Sequence, residues 1–162
     1  MAPSDKFIPP RPEAVGLMIE QLIGRRVTTK DAKPFVPGPS AKSYVGVYRT
    51  DQGALTAAVV MDLPLAANAA AALVMVPVGA VAESVRAGQL NPNLLDNLRE
   101  VMNVCTRFFS LPGKPHVKLQ EIVLCPPALP AEVGALVARP NAALHTELAI
   151  AGYGGGRLSL VA

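Results

Sequence analysis

The sequence predicts an α+β fold in which antiparallel strands pack against long helices. Hydrophobic residues make up 51% of the 162-residue chain and charged residues 17%, a balance that supports a buried core and excludes global disorder. Apolar residues recur at steps of three and four in two segments, which is typical of amphipathic helices. Two pairs of β-rich runs are joined by short turns, which is typical of hairpins. The predicted order is helix, hairpin, helix, long helix, strand and hairpin, and it suggests a pseudo-two-fold duplication of a helix-plus-strands unit.

The first helix is predicted to begin at Pro12. Residues 1–11 are Pro-rich and are expected to form a flexible arm, whereas residues 12–162 form a single domain. Pro12 and Glu13 suit the first helical turn, because Pro has a preset φ and an acidic side chain favours the positive end of the helix dipole. The helix is expected to end near Gly24. Its apolar stripe consists of Val15, Met18, Ile19 and Leu22.

A β-hairpin is predicted after a loop over residues 31–40, which contain three prolines and one glycine. From Ser43 to Arg49, β-branched and aromatic residues indicate a strand. The turn residues Asp51-Gln52-Gly53 separate this strand from a second apolar run over residues 54–61.

Two helices are expected after the hairpin. Asp62 is suited to cap a helix that opens near Pro64 and continues through an Ala-rich segment to about Met75. Pro77 breaks this helix, and a shorter helical stretch then ends near Gly88.

The clearest helix start in the chain is Asn91-Pro92, a capping residue followed by Pro at the first helical position. The helix is predicted to run to the break at Pro112-Gly113. Its apolar residues recur at three- and four-residue steps. They are Leu94, Leu95, Leu98, Val101, Met102, Cys105, Phe108 and Phe109.

The remainder of the chain is predicted to be mainly extended. Residues 116–124 read as a strand that ends at a bend over Pro126-Pro127, and the segment up to Arg139 receives no assignment. Residues 142–151 and 157–161 alternate around a run of glycines, so a final hairpin is predicted.

The composition argues against nucleic-acid and membrane partners. The net charge is only +3, aromatic residues make up 4% of the chain and Trp is absent, so base-stacking platforms are not expected. The one basic cluster is explained by a solvated helix end, with a polyanion site as the alternative. It consists of Arg25, Arg26, Lys30 and Lys33. The most apolar run, residues 69–78, is about half as long as a spanning helix, and no export signal is visible, so a cytoplasmic location is expected.

Cysteine and histidine spacings indicate neither a metal site nor a catalytic nucleophile. Cys105 and Cys125 are expected to be buried free thiols in a reducing compartment. His116 and His145 have no acidic or Cys partner at a recognisable spacing. The glycine-rich run 152–156 lies between two predicted strands, which favours a hairpin turn over a phosphate-binding loop.

The long helix carries the candidate site. Four of its polar side chains fall within about 60° of one another on a helical wheel at about 100° per residue. They are Asp96, Glu100, Asn103 and Arg107, which we call the polar stripe. A solvated face is the simpler interpretation. Asn103 indicates a further use, because the amide of Asn competes for backbone groups and makes it a poor residue inside a helix.

The spacing of these residues resembles a family signature. Asp96-x3-Glu100-x2-Asn103, followed by 22 residues and then Pro126, is similar to the motif of the CheC/CheX/FliY family of response-regulator phosphatases. The resemblance implies a CheC-like fold and a role in chemotaxis or other two-component signalling. A single motif is similar to the CheX branch, whose members dimerise by joining sheets, so a homodimer is implied.

The resemblance also implies a substrate and roles for the residues. The substrate is a phosphorylated CheY-like receiver domain, which brings its own Mg²⁺, so no metal or cofactor of this chain is expected. Asn103 is expected to position the attacking water, and Glu100 to pair with the active-site Lys of the receiver. Asp96 is a peripheral partner-binding residue, and Pro126 is a structural bend.

Arg107 departs from the family pattern, which often has a small residue four positions after the motif Asn. Its side chain either obstructs insertion of Asn103 into the receiver, or pairs with an acidic receiver surface, or pairs with acidic neighbours on its own helix. The first case favours a second function, a non-catalytic adaptor that binds a receiver or another signalling partner without hydrolysis. A third hypothesis is an unrelated α+β interaction domain with an accidental match.

Overall fold

The computed structural model describes residues 7–162 and confirms the α+β prediction, with a six-stranded antiparallel sheet and five α-helices in this part of the chain. The helices are α1 (Pro12–Ile23), α2 (Leu63–Leu73), α3 (Val78–Ala87), α4 (Pro92–Cys105) and α5 (Ala131–Ala138). The strands are β1 (Val27–Asp31), β2 (Ser43–Thr50), β3 (Leu55–Asp62), β4 (Val117–Cys125), β5 (Ala143–Ile150) and β6 (Gly154–Val161).

The sheet has pseudo-two-fold topology. Its strand order is β1-β5-β6-β3-β2-β4, and exchanging β1 with β4, β2 with β5 and β3 with β6 turns this order into its own reverse. The two related units are α1-β1-β2-β3 and α4-β4-β5-β6. Each unit places its first strand beside the hairpin of the other, since β1 pairs with β5 and β4 pairs with β2. The helix-plus-strands repeat that the sequence suggested is therefore present.

The core has one layer on each face of the sheet. Helices α1, α2 and α4 cover one face, where their apolar side chains pack against the strands. A smaller cluster on the other face combines α5, through Val133 and Val137, with Phe35 from the loop before β2. Phe35 lies between β1 and β2, and α5 lies between β4 and β5. In each unit, the segment that joins the first strand to the second therefore covers this second face.

Most predicted elements are found, and three details differ from the prediction. Strand β1 lies where only the end of a helix and a loop were expected, and α5 occupies the segment left without an assignment. The long helix ends at Cys105, not at Pro112, and continues only as a 3-10 turn over Thr106–Phe108. The run 152–156 forms the turn and first residues of the β5–β6 hairpin, as predicted.

Part of the expected N-terminal arm, residues 1–6, lies outside the described residues. Phe7 is half-buried, and its ring centroid lies 5.3 Å from that of Phe109. Cys105 and Cys125 are buried free thiols, as expected. Among the helices of residues 7–162, none is both long and apolar enough to cross a membrane.

Candidate functional site

Helix α4 begins as the sequence predicts. The side chain of Asn91 accepts a hydrogen bond of 2.8 Å from the backbone N–H of Leu94, and Pro92 occupies the first turn. This arrangement satisfies one of the otherwise unpaired N–H groups at the helix start. Because the start of the helix is defined at Asn91, the positions of the polar-stripe residues along α4 are defined as well.

Close packing anchors α4 to the sheet and to α2. Asn97 Nδ2 donates to the carbonyl of Ala70 over 3.2 Å. Gly46 lies directly under the helix, because a Cβ on this residue would lie 2.7 Å from Sδ of Met102. Glycine on β2 therefore leaves room for the Met102 side chain, which would have to move if this residue carried a Cβ.

The end of α4 is held by an aromatic pair. Tyr48 is fully buried, and its hydroxyl donates a 2.5 Å hydrogen bond to the carbonyl of Met102, one of the last helical carbonyls, which lack a regular helical partner. The ring of Phe109, just after the 3-10 turn, packs 5.0 Å from that of Tyr48. Asn103 follows Met102 directly, so its position on the surface is set by these buried contacts.

All four residues of the polar stripe are exposed, while the opposite side of α4 is buried. Within residues 7–162, the side chains of these four residues form no hydrogen bond or ion pair. Pairing of Arg107 with acidic neighbours on its own helix, one of the three expected possibilities, is thus not observed. Glu100 and Asn103 are separated by about 4.5 Å along the helix axis, and both are open to a partner.

Arg107 does not continue the regular helix. It lies in the 3-10 turn Thr106–Phe108, where each residue turns by about 120° and not about 100°. Its direction is therefore shifted by a few tens of degrees from that expected for a continuous α-helix. On the helical wheel, this shift turns the base of the Arg107 side chain away from Asn103 and towards the direction of Glu100.

Arg99 is a candidate residue that the sequence analysis did not single out. It is exposed on α4 and precedes Asn103 by four residues, a spacing that places two side chains on neighbouring positions of one helix face. The helical wheel that defines the polar stripe also places Arg99 next to Asn103, so this residue could have been found from the sequence. Asn103 therefore lies between two cationic side chains, Arg99 and Arg107.

Pro126 is positioned by the sheet and not by the helix. It follows Cys125, the last residue of β4, which pairs with Ser43 of β2. Together with the loop 36–39 and residues around α5, Pro126 lines a shallow depression on the surface. The structure does not bring Pro126 into the polar stripe, and its expected role as a structural bend stays a prediction.

The symmetry-related helix α1 does not repeat the site. Glu20 Oε1 accepts a hydrogen bond of 2.9 Å from the backbone N–H of Val27, so this carboxylate links α1 to β1. Gly16 and Ile23, which follow Glu13 and Glu20 by three residues, are both buried. Glu100 and Asn103 thus have no counterpart pair on α1.

Two of the other candidates, His145 and Arg25, contact neighbouring side chains of the fold. Nδ1 of His145 lies 2.6 Å from Oγ of the buried Ser159, and burial lowers the pKa of this imidazole. In the predicted basic cluster, the guanidinium of Arg25 lies 5.0 Å from the ring centroid of Tyr153. No group of three or more His, Cys, Asp or Glu residues suited to a metal ion occurs in residues 7–162.

Comparison with known proteins identifies the fold. No protein-family model matches the chain, and no curated protein matches its sequence. FliY from Thermotoga maritima has a TM-score of 0.57 at 14% identity, covering 91% of this chain and 82% of FliY. The FliM middle domain from Vibrio alginolyticus has a TM-score of 0.58 at 9% identity, covering 93% and 87%. The FliM middle domain from H. pylori has a TM-score of 0.52 at 11% identity, covering 93% and 83%.

The chain therefore has the fold shared by FliY and the FliM middle domain. This result agrees with the CheC-like fold implied by the motif, and it does not assign the chain to the CheX branch. The hypothesis of an unrelated α+β domain required a fold without a repeated helix-plus-strands unit, whereas that unit is present.

Proposed function

We propose that this protein hydrolyses the aspartyl phosphate of a CheY-like receiver domain. The proposal rests on the pair Glu100 and Asn103, which are exposed and lie one turn apart on helix α4. Within residues 7–162, neither side chain forms a hydrogen bond or ion pair. The FliY-like fold supports a CheY-interacting protein, and the motif supports the chemistry.

The reaction needs little from this chain beyond positioning. Oxygen of a water molecule attacks phosphorus in line, the bond from phosphorus to the aspartyl oxygen breaks, and inorganic phosphate leaves. The receiver supplies Mg²⁺ and the cationic groups around the phosphoryl oxygens. Asn103 would hold the water through its amide without adding charge, since an amide both donates and accepts hydrogen bonds.

Glu100 would set the register of docking. A carboxylate pairs strongly with an ammonium group when both are shielded from water, and the receiver's active-site Lys is the expected partner. Because Glu100 lies one turn before Asn103, this contact would orient the amide towards the phosphoryl group. Asp96, one further turn back and exposed, would contact the rim of the receiver.

The proposal is tested by the decay of a phosphorylated receiver with and without the protein. We expect accelerated loss of phosphate, which disappears in Asn103→Ala and in Glu100→Ala. Asn93→Ala is the matched control, because Asn93 is exposed on the same helix but lies about 15 Å from Asn103 along the axis. Full activity in both site variants would refute the assigned roles.

An adaptor without hydrolytic activity is the second candidate. Arg107, exposed just beyond Asn103, supports it because a long cation beside the amide would hinder close approach to a phosphoryl group. The FliM-like fold is equally consistent with an adaptor. An adaptor would bind the phosphorylated receiver without changing the lifetime of its phosphate. If Arg107→Gly then accelerated the loss of phosphate, the Arg107 side chain would be what prevents hydrolysis, and the adaptor would be favoured over the phosphatase.

A further inference from the structure

Exposed apolar side chains are concentrated on a surface that includes none of the polar stripe. Seven large hydrophobic residues of the described chain are exposed, and four of them lie within the twelve residues from Val74 to Val85. Met75 is 74% exposed, and Val74, Val78 and Val85 are between 41% and 53% exposed. Single exposed apolar residues are normally scattered, so a cluster of this kind indicates a contact surface.

Helix α3 contributes one exposed apolar face to this surface. Its buried residues are Val81 and Ser84, and it packs against α2, which is itself buried from Leu65 to Ala72. On a helical wheel, Val78, Ala82 and Val85 fall within about 60° of one another on the exposed side of α3. We call the surface the outer ridge, and it consists of Val74, Met75, Val78, Ala82 and Val85.

The turn that carries Met75 is strained and firmly held. Met75 has a φ of 56°, a left-handed value that is costly for a residue with a Cβ. The N–H of Val76 donates to the carbonyl of Ala71 over 2.9 Å, and the hydroxyl of Tyr153 donates to the carbonyl of Val76 over 2.9 Å. The exposed Met75 side chain is therefore presented on a fixed backbone, so little backbone freedom is lost when it binds.

Arginine side chains flank the outer ridge. Arg86 is exposed on α3, about 80° around the helix from Val78. The guanidinium of Arg25 lies 5.0 Å from the ring centroid of Tyr153, the residue that holds the turn. Within residues 7–162, neither arginine forms an ion pair. Glu83, the acidic residue of α3, is turned away from the ridge, about 140° from Val78.

We propose that the outer ridge docks on the anionic face of a lipid membrane. Met75 and the valines of α3 enter the boundary between headgroups and acyl chains, and Arg25 and Arg86 contact lipid phosphates. The ridge is a helix face and a turn, which suits a lipid surface better than a ligand that needs a groove. The short apolar runs that argue against a spanning helix do not bear on a peripheral contact of this kind. The proposal is independent of the proposed hydrolysis.

Co-sedimentation with vesicles tests the proposal. One set of vesicles contains equal parts of phosphatidylglycerol and phosphatidylcholine, and the control set contains phosphatidylcholine alone. We expect binding to the first set that weakens as the salt concentration rises, and no measurable binding to the second. Arg86→Gln is expected to weaken binding about fivefold. Arg139→Gln should bind as wild type, because Arg139 is exposed at the end of α5, on the opposite face of the sheet.

Met75→Gly separates binding from folding. Glycine adopts a positive φ without the clash of a Cβ, so the melting temperature should not fall. Loss of the Met75 side chain should weaken binding to the anionic vesicles at least about tenfold. Val36→Gly is the matched control, because it removes an exposed apolar side chain from the loop beside α5, and its binding should be unchanged.

A fluorescence reporter locates the contact. The chain has no Trp, so Met75→Trp supplies a single indole, whose emission should shift to shorter wavelengths with the anionic vesicles. Val36→Trp should show no shift. Equal binding to both vesicle compositions, or unchanged binding in Met75→Gly, would overturn the proposal. Absence of binding to either set would also overturn it and would leave the outer ridge to a protein partner.

Discussion

At the level of single residues, the amide of Asn103 is the most direct test of the proposed chemistry. Asn103→Asp keeps the shape of the side chain but places an anion beside the phosphoryl group. We expect receiver dephosphorylation to fall about a hundredfold, as for a mispositioned catalytic group. The free energy of unfolding should change by less than about 0.5 kcal/mol, because the residue is exposed.

The measurement is the phosphate-release rate at saturating phosphorylated receiver, with urea unfolding of the same preparations. Asn93→Asp is the control for adding a charge to α4, and it should keep the wild-type rate. Retention of activity by Asn103→Asp would show that a neutral amide is not required.

The buried thiol of Cys105 makes stability depend on pH. Burial raises its pKa from 9.0 to about 12, so the folded state favours the neutral thiol. A folded-state pKa above the unfolded value gives a stability contribution that is present below about pH 9 and is lost as the pH rises towards about 12.

We therefore expect the stability difference between wild type and Cys105→Ala to shrink above pH 9, by at most about 1.4 kcal/mol per pH unit. Urea unfolding of both proteins at pH 8, 9.5 and 11 measures it. Burial also raises the pKa of Tyr48, with a smaller contribution from Cys105. Comparing the two proteins cancels the part that comes from burial and retains the part that comes from Cys105. A difference that stays constant over this range would contradict the prediction.

At the level of elements, the end of α4 depends on the Tyr48 hydroxyl. Tyr48→Phe removes its hydrogen bond to the buried Met102 carbonyl and is expected to destabilise the protein by about 1–3 kcal/mol. Amide exchange should accelerate in the last turn of α4, which contains Asn103. Tyr44→Phe is the matched variant, because the Tyr44 hydroxyl accepts from the N–H of Leu90 just before the same helix.

Amide hydrogen exchange followed by mass spectrometry separates the two variants. Tyr44→Phe should accelerate exchange at the beginning of α4 and leave the last turn protected. Uniform acceleration along the helix in both variants would mean that neither hydroxyl acts locally.

The elements that sequence reasoning missed are those with the weakest local signals. Strand β1 is five residues long, and Val27 is its only buried residue. Its sequence therefore shows no alternation of apolar and polar residues that would predict a strand. Helix α5 has eight residues and no side-chain cap. The end of α4 was placed too late because the 3-10 turn keeps a three-residue spacing, which lets Phe108 and Phe109 extend the apolar pattern.

The site was more accessible to sequence reasoning than these elements. The prediction of the stripe from Asp96 to Asn103 depends on the helix start at Asn91-Pro92 and on the regular spacing of apolar residues along the helix. Both features are present in the structure. The contacts that hold it, from Tyr48 and Gly46, join residues more than fifty positions apart. No local pattern in α4 contains that information.

At the level of the whole molecule, the two-fold topology contrasts with the single candidate site. The units α1-β1-β2-β3 and α4-β4-β5-β6 occupy equivalent places in the sheet, yet α1 uses Glu20 to bind the backbone at Val27. Topology can persist while side chains diverge, because the core requires only apolar residues of suitable size. The duplication is therefore visible in strand order and not in sequence identity.

The same topology leaves two open edges for the homodimer that the resemblance implies. In the described sheet, β1 and β4 are the outer strands. Strand β1 has five residues, whereas β4 has nine, with half-buried Ile122, Val123 and Leu124 beyond the register shift at Gln120. A long edge with partly exposed apolar side chains is the better template for pairing with another strand.

We therefore expect light scattering to give twice the chain mass, with the two copies joined along β4. Ile122→Lys introduces a charge on this edge and should shift the protein to a monomer. Thr28→Lys, an equivalent change at an exposed position of β1, should leave the dimer intact. Because Ile122 is half-buried, the substitution could also destabilise the fold. The monomeric variant must therefore show a cooperative thermal transition, which separates loss of dimerisation from loss of folding. A wild-type monomer at all concentrations, or dissociation by Thr28→Lys alone, would contradict pairing through β4.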